Sequence, residues 1–134
     1  MRENVKKEGN HGYIPSTGLP PFREAVMKLY NTKVPLHVSD VHINHGVNMG
    51  LLSIFMAFTN EGDEVLVPEI GYPFYQDLCP ALGRKAVPYK LKKDSNFEID
   101  LEHVASLITD KTSFMYVINP TNPMGTVFSK AHMQ

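Results

Sequence analysis

Four short apolar runs, each closed by chain-breaking residues, constrain the fold more than any other feature of the sequence. They are Asp40–Asn44, Glu64–Val67, Lys85–Leu91 and Phe114–Ile118. Between them, apolar residues recur at helical spacing in stretches of about ten residues. Strands that alternate with helices of that length need right-handed crossover connections, which give a parallel or mostly parallel sheet with helices on its faces. The expected fold class is therefore α/β, a partial three-layer α/β/α arrangement.

Local signals sharpen the boundaries. Pro20 and Pro21 suit the first turn of a helix over roughly 20–31, where a missing N–H costs nothing. Phe22, Ala25, Val26, Leu29 and Tyr30 give that helix an apolar face. From 48 to 59, Leu51, Leu52, Ile54, Phe55, Met56 and Phe58 are apolar nearly all round, which predicts a buried helix ended by Asn60-Glu61-Gly62. Phe74, Leu78, Ala81 and Leu82 mark a helix that stops at Gly83. Pro88 makes the third strand an edge candidate, because proline donates nothing to the ladder. Asp100 is positioned to cap a helix carrying Leu101, Val104, Leu107 and Ile108, and Ser129 to cap a last one. Residues 1–8 read as the end of a helix stopped at Gly9-Asn10, and Phe114–Ile118 as a strand buried on both faces.

Length and composition narrow the class. A chain of 134 residues carries one domain with a real core and is short for two. Its 43% hydrophobic and 20% charged residues are those of a soluble globular protein. The net charge is −1 and the basic residues are scattered, so neither nucleic acid nor an anionic membrane is an expected partner. The single cysteine, Cys79, allows no internal disulfide and no paired metal site, which points to a reducing compartment, the cytoplasm. The longest apolar run, Leu51–Phe58, contains Ser53 and is far short of a membrane span. Met1–Lys6 has no apolar core of a secretory signal.

Ligands of open α/β sheets sit beyond the carboxyl ends of the strands, and three loops there hold unusual residues. After the first strand, His45-Gly46-Val47-Asn48 feeds a helix. Gly46 lets a ligand approach, backbone amides meet the positive end of the helix dipole, and Asn48 adds a side-chain donor, a combination suited to an anion. A plain helix start with a close-packing glycine fits the same residues. The nucleotide patterns Gly-Lys-Ser/Thr and Gly-x-Gly-x-x-Gly are absent. After the second strand, Gly71-Tyr72-Pro73 holds an aromatic able to stack on a flat ring, and also describes a half-buried surface tyrosine. After the fourth, Asn119-Pro120-Thr121-Asn122-Pro123-Met124-Gly125 carries two prolines that hold both asparagines extended. Asn122 is the candidate donor to a ring oxygen or carboxylate, while Asn119 props the loop; an ordinary strand-to-helix connection is the competing reading. His42 and His45 fall on opposite faces of a strand, so no metal site is expected. His11, His37, His103 and His132 read as surface residues. No Ser/His/Asp arrangement or close carboxylate pair can be argued.

Phosphate cradle, stacking aromatic and ring-oxygen donor together describe a site for a phosphorylated aromatic cofactor. The runs Tyr13–Val26, Glu61–Pro68 and Asn119–Gly125 resemble signatures of the class I/II, fold-type I, pyridoxal-phosphate aminotransferases. Ile99-Asp100-Leu101-Glu102 followed by Asn122–Lys130 is similar to the tyrosine aminotransferase branch in particular. The likeness covers nearly the whole chain, with several motifs in the right order and spacing. It implies that residues 1–134 are a fragment of the pyridoxal-phosphate-binding large domain, cut on the C-terminal and the N-terminal side. It further implies that Gly46, Val47 and Asn48 hold the cofactor phosphate, that Tyr72 stacks on the pyridine ring, and that Asn122 donates to the ring's phenolic oxygen, with Asn122–Pro123 cis. Tyr13 matches a tyrosine that reaches the phosphate of the neighbouring subunit's cofactor, which implies a homodimer. The implied reaction moves an amino group between an L-amino acid, aromatic if the branch holds, and a 2-oxo acid.

The departures from the family pattern are as informative. The family's Schiff-base lysine, its aspartate on the pyridine nitrogen, a second ring-oxygen tyrosine and the arginine for the substrate carboxylate all lie downstream of the Asn-Pro-x-Gly loop, and this sequence ends at Gln134. No catalytic residue is therefore expected within the chain, which alone should be inactive; Lys130 does not stand in for the missing lysine. Val47 and Met49 are bulkier or less polar than the residues often found there. In relatives, downstream strands separate the first strand from the others, so 41–44 should lack a neighbour here and the isolated chain should be at best marginally stable. Two other readings share these loops: a non-catalytic cofactor-binding or dimerising remnant, including a regulator's effector domain, and another fold-type I enzyme such as an aminocyclopropane-carboxylate synthase.

Overall fold

A computed structural model describes Glu3, Lys6, Lys7, residues 12–30 and residues 32–134. The helix end expected over 1–8 rests mainly on residues outside that set, as do its stop at Gly9-Asn10 and the surface reading of His11. The chain falls into two compact units, Met1–Gly50 and Leu51–Gln134.

In the first unit, helix α1 (Pro20–Met27) starts as its two prolines require, with both in the first turn after Leu19. It ends earlier than its apolar pattern suggests, and none of its residues is buried; Phe22, Leu29 and Tyr30 are exposed. Arg23 supplies the long-range ties instead. Its Nε donates to the Val41 carbonyl at 2.7 Å, its Nη1 to Thr17 Oγ1 at 3.0 Å and its Nη2 to the Val38 carbonyl. The expected strand at 40–44 is corrected. Val38–Asp40 is a 3-10 turn, and 41–44 joins no sheet among the described residues, although Val41 has extended angles (φ −104°, ψ 121°). A strand needs a partner for its ladder, and none reaches this segment. The Ile43 N–H donates to the Thr17 carbonyl at 3.0 Å, and Gly18, at φ +99°, leaves just enough room for Ile43: a Cβ there would stand 2.6 Å from Ile43 Cγ1.

Helix α2 (Val47–Phe58) begins in this unit and ends in the second. It was expected to be buried, and here too the structure differs. Only Leu51 and Phe55, one turn apart on a single face, are buried, while Ile54, Met56 and Phe58 are exposed by 46%, 60% and 73%. An all-round apolar helix needs a partner on every side, and among the described residues it has one.

The second unit is built on a three-stranded parallel sheet of β1 (Glu64–Pro68), β2 (Lys85–Tyr89) and β5 (Thr112–Met115), in the order β2-β1-β5. All five residues of β1 are buried, as expected of a central strand. Its alternation builds two cores. Val65 and Val67 pack with Leu51 and Phe55 of α2 and with Tyr75, Leu78 and Cys79 of α3 (Phe74–Ala81). Leu66 packs on the opposite face with Tyr89, Val104, Phe128 and two hairpin residues, Leu91 and Ile99. This gives the three-layer α/β/α architecture, with each fully buried aliphatic or aromatic side chain contributing about 1.5–3 kcal/mol.

Pro88 lies on an edge strand, as its missing N–H predicts. The Phe114–Ile118 strand does not meet expectation. The ladder covers Thr112–Met115, β5 is an edge, and its residues are at most half-buried. The Tyr116 N–H still bonds the Leu66 carbonyl at 2.8 Å, but Val117 is 40% exposed. The third run also stops early, at Tyr89. Leu91–Lys92 (β3) instead pairs antiparallel with Glu98–Ile99 (β4) around a turn in which Asn96 and Phe97 take positive φ.

Helix α4 (Leu101–Leu107) starts as read, with Asp100 Oδ1 accepting the His103 N–H at 3.2 Å and Val104 buried. Ser129 caps one turn rather than a helix: its Oγ accepts the His132 N–H, and its carbonyl the Met133 N–H, both at 3.2 Å. His132 is not a surface residue. Its side chain is 10% exposed, and its Nε2 accepts the Ile99 N–H at 3.1 Å. His103 Nδ1 likewise accepts the Lys90 N–H at 3.2 Å. No described helix is long and apolar enough to cross a membrane.

Candidate cofactor site

Because β1 and β5 are parallel neighbours, the loops that follow them leave the sheet side by side at its carboxyl end. The first, Pro68–Pro73, is anchored where it leaves the sheet: the Glu69 N–H donates to the Tyr89 carbonyl at 2.8 Å, and Gln76 Nε2 to the Pro68 carbonyl at 3.0 Å. Its Tyr72 is half-buried, with the ring stacked beside Phe74 at a centroid separation of 6.3 Å and 26° between planes.

The second loop has cis peptide bonds at both Asn119–Pro120 and Asn122–Pro123. Its two asparagines are used differently. Asn119 Oδ1 accepts the Phe128 N–H at 3.0 Å and ties the loop to the chain beyond it. Asn122 is exposed, and no described residue hydrogen-bonds its side chain. Between them Thr121, which sequence reasoning missed, closes the turn. It is buried, its carbonyl accepts the Gly125 N–H at 2.7 Å, and its Oγ1 accepts the Thr126 N–H at 2.9 Å. Gly125 takes φ +71°, where other residues are strained. Asn122, Thr121 and Ile118 share the lining of a small crevice of about 10 Å³, room for about one water, with Pro68 and Ile70 of the first loop. Tyr72 is not part of that lining.

The remaining predicted residues belong to the first unit. Gly46 takes φ +83°; its N–H donates to the Asn44 carbonyl at 2.9 Å, and its own carbonyl accepts the first α2 bond, from the Gly50 N–H, at 3.3 Å. The space in front of its Cα is open. Val47 is exposed, Asn48 is half-buried and Tyr13 is fully exposed. A helix start of this kind turns its first amides and the positive dipole end outward.

The sequence profile described as "Aminotransferase class I and II" matches residues 1–134. The chain belongs to the class I and II aminotransferases. Among its relatives, the tyrosine aminotransferase of Dictyostelium discoideum is 39% identical over 132 residues, covering 98% of this chain and 32% of that protein. The tyrosine aminotransferase of Bos taurus is 37% identical, covering 100% of this chain and 30% of its own length. Among solved structures, tyrosine aminotransferase from Leishmania infantum superposes with a TM-score of 0.89 at 30% identity, covering 98% of this chain and 37% of that one. Alanine aminotransferase from Pyrococcus furiosus gives 0.88 at 34% identity, covering 97% and 33%. The chain spans about a third of the length of the relatives it matches.

Three tyrosines adjoin the two loops: Tyr75 meets Gly71, Tyr89 lines the crevice with Asn122, and Tyr116 packs on Tyr75. The Tyr75 and Tyr116 rings are 4.5 Å apart, and the Tyr89 hydroxyl donates to the Tyr116 carbonyl at 2.9 Å. Burial pushes the Tyr75 phenol up to about 12 and raises Tyr89 and Tyr116 as well, so these phenols stay uncharged near neutrality. Burial also pushes the Cys79 thiol up to about 11, which removes it as a nucleophile.

Proposed function

We propose that the protein carrying this chain transfers an amino group between an L-amino acid and a 2-oxo acid with pyridoxal 5'-phosphate, and that this chain supplies one wall of the cofactor site. Class I and II aminotransferases generally use that cofactor, and the donor set fits it. Gly46, Val47 and Asn48 at the start of α2 bind the phosphate through backbone amides and the Asn48 side chain. Tyr72 covers one face of the pyridine ring and keeps water from it. Asn122 donates a hydrogen bond to the phenolic oxygen and fixes the ring in its plane. Tyr13, fully exposed, reaches the cofactor phosphate of a second subunit in a homodimer. When bound, the cofactor's ring supplies an electron sink for charge that develops at the substrate Cα. The covalent lysine lies outside residues 1–134.

The observation that supports this most is the unequal use of two similar asparagines. Asn119 is consumed by the loop, whereas Asn122, in the same loop, keeps an exposed amide at a small crevice shared with the Tyr72 loop. A preference for aromatic substrates follows the proteins named tyrosine aminotransferase among the relatives, and the cytoplasm is the proposed location.

Borohydride reduction of the full-length protein with pyridoxal phosphate tests the assignment. Label should appear on a lysine outside residues 1–134; label on any lysine within them overturns it. Assaying amino transfer against elimination separates this reading from a synthase with the same loops.

A further inference from the structure

Helix α3 meets the Tyr72 loop through a contact that core packing does not require. Tyr75 is fully buried, yet its hydroxyl forms no hydrogen bond of normal geometry. A buried hydroxyl in that state opposes folding, so phenylalanine would serve the core at least as well. The oxygen sits where a side chain of Gly71 would be. A Cβ on Gly71 would overlap it, and would stand 3.1 Å from Tyr75 Cζ and 3.0 Å from Pro68 Cγ. Gly71 is not among the glycines with positive φ, so glycine is needed here for room and not for conformation. The Tyr75 ring is backed by Tyr116 at 4.5 Å, which the Tyr89 hydroxyl bonds in turn. The hydroxyl is thus a fixed stop against the loop backbone.

We infer that Tyr75 is a positioning residue for the cofactor site. Its hydroxyl, seated against Gly71 next to Tyr72, sets the height at which the Tyr72 ring meets the cofactor. The inference rests on the reading of Tyr72 as the stacking residue. Tyr75 touches neither cofactor nor substrate and acts only through the backbone.

The test uses apo full-length protein and pyridoxal 5'-phosphate as the probe, with three readouts: dissociation constant, visible circular dichroism of the bound cofactor, and thermal midpoint without cofactor. Tyr72→Ala checks the underlying reading and should weaken binding by about tenfold or more. Tyr75→Phe should weaken it by about threefold to tenfold and change the dichroic band, with no fall in the thermal midpoint, because the lost hydroxyl has no hydrogen bond to forfeit. Gly71→Ala should be worse than Tyr75→Phe, and adding Tyr75→Phe to it should restore part of the loss. If Tyr72→Ala weakens binding but Tyr75→Phe binds and absorbs like the parent, the inference is overturned and the stacking reading stands. If Tyr75→Phe lowers the thermal midpoint, its role is structural and the inference is likewise overturned. If Tyr72→Ala binds like the parent, the stacking reading fails and takes the inference with it. Additivity of Gly71→Ala and Tyr75→Phe would also overturn it.

Discussion

The two ends of the three-stranded sheet differ in the polar groups they leave unpaired. At the amino end a cluster of them is paired. Glu64 accepts from Lys85 Nζ at 2.8 Å and from Thr109 Oγ1 at 2.8 Å; Asp63 accepts from Ser113 Oγ at 2.6 Å and from the Asn60 N–H at 2.8 Å. Arg84 donates from Nε to Thr59 Oγ1 at 2.8 Å and from Nη2 to the Thr59 carbonyl at 2.7 Å. At the carboxyl end Asn119, Thr121, Gln76 and the Tyr89 hydroxyl are bonded as well, but among the described residues the Asn122 amide is exposed and unengaged and the Tyr75 hydroxyl is buried without a partner. The paired groups of the amino end hold the sheet, and the carboxyl end keeps part of its polar chemistry in reserve. This division is the one expected of α/β sheets that bind ligands at their carboxyl edge.

The comparison gives graded predictions. Neither end can hold a fold whose apolar faces lack cover, and Leu29, Tyr30 and Phe58 are exposed by 80%, 65% and 73%. Residues 1–134 expressed alone should therefore show no cooperative transition in differential scanning calorimetry; a sharp endotherm would contradict this. In the full-length protein, Arg84→Ala should cost about 2–3 kcal/mol of stability in urea titration, since charge-assisted hydrogen bonds are lost, with cofactor affinity unchanged. Asn122→Ala should do the reverse, weakening pyridoxal phosphate binding by about tenfold while the apo protein's stability stays within about 0.5 kcal/mol. If either variant moves both quantities equally, the division between the ends fails. The smallest effect concerns acid. The hydrogen bond from Lys85, then that from Thr109, holds the Glu64 carboxyl below its ordinary value of 4.5. Its contribution is therefore complete above that value and is lost as pH falls through the lowered folded pKa. Thermal midpoints should decline on acidification below about 4.5, and Glu64→Gln should flatten that decline.

What was legible in the sequence was mostly local. Asp100 as a cap, Pro88 as an edge residue and Gly83 as a helix stop each follow from the covalent chemistry of one residue, and the structure bears them out. The propping role of Asn119 was what remained once the family resemblance had assigned Asn122 to the ring oxygen, and its amide is so used. The misreadings concern partners. The apolar periodicity of α2 says that it prefers cover without saying how many sides receive it, and Phe114–Ile118 reads as central although β5 is an edge. The β3–β4 hairpin was merged into neighbouring elements because its strands have two residues each, too few for an alternation to register. Of the site, the glycines and asparagines were visible because they break patterns. Thr121 and Tyr75 were not, since a buried threonine and a helix tyrosine break none.

The contact between Gly71 and Tyr75 also imposes an order on sequence change. A chain that acquires alanine at 71 while tyrosine stands at 75 must first pass through a steric overlap. One that exchanges Tyr75 for phenylalanine first loses only an unpartnered hydroxyl, and then has more room for a methyl group opposite. Two substitutions that reach the same pair are thus open from one direction and obstructed from the other. A library built at these positions one residue at a time should recover the pair by way of Tyr75→Phe and miss it by way of Gly71→Ala.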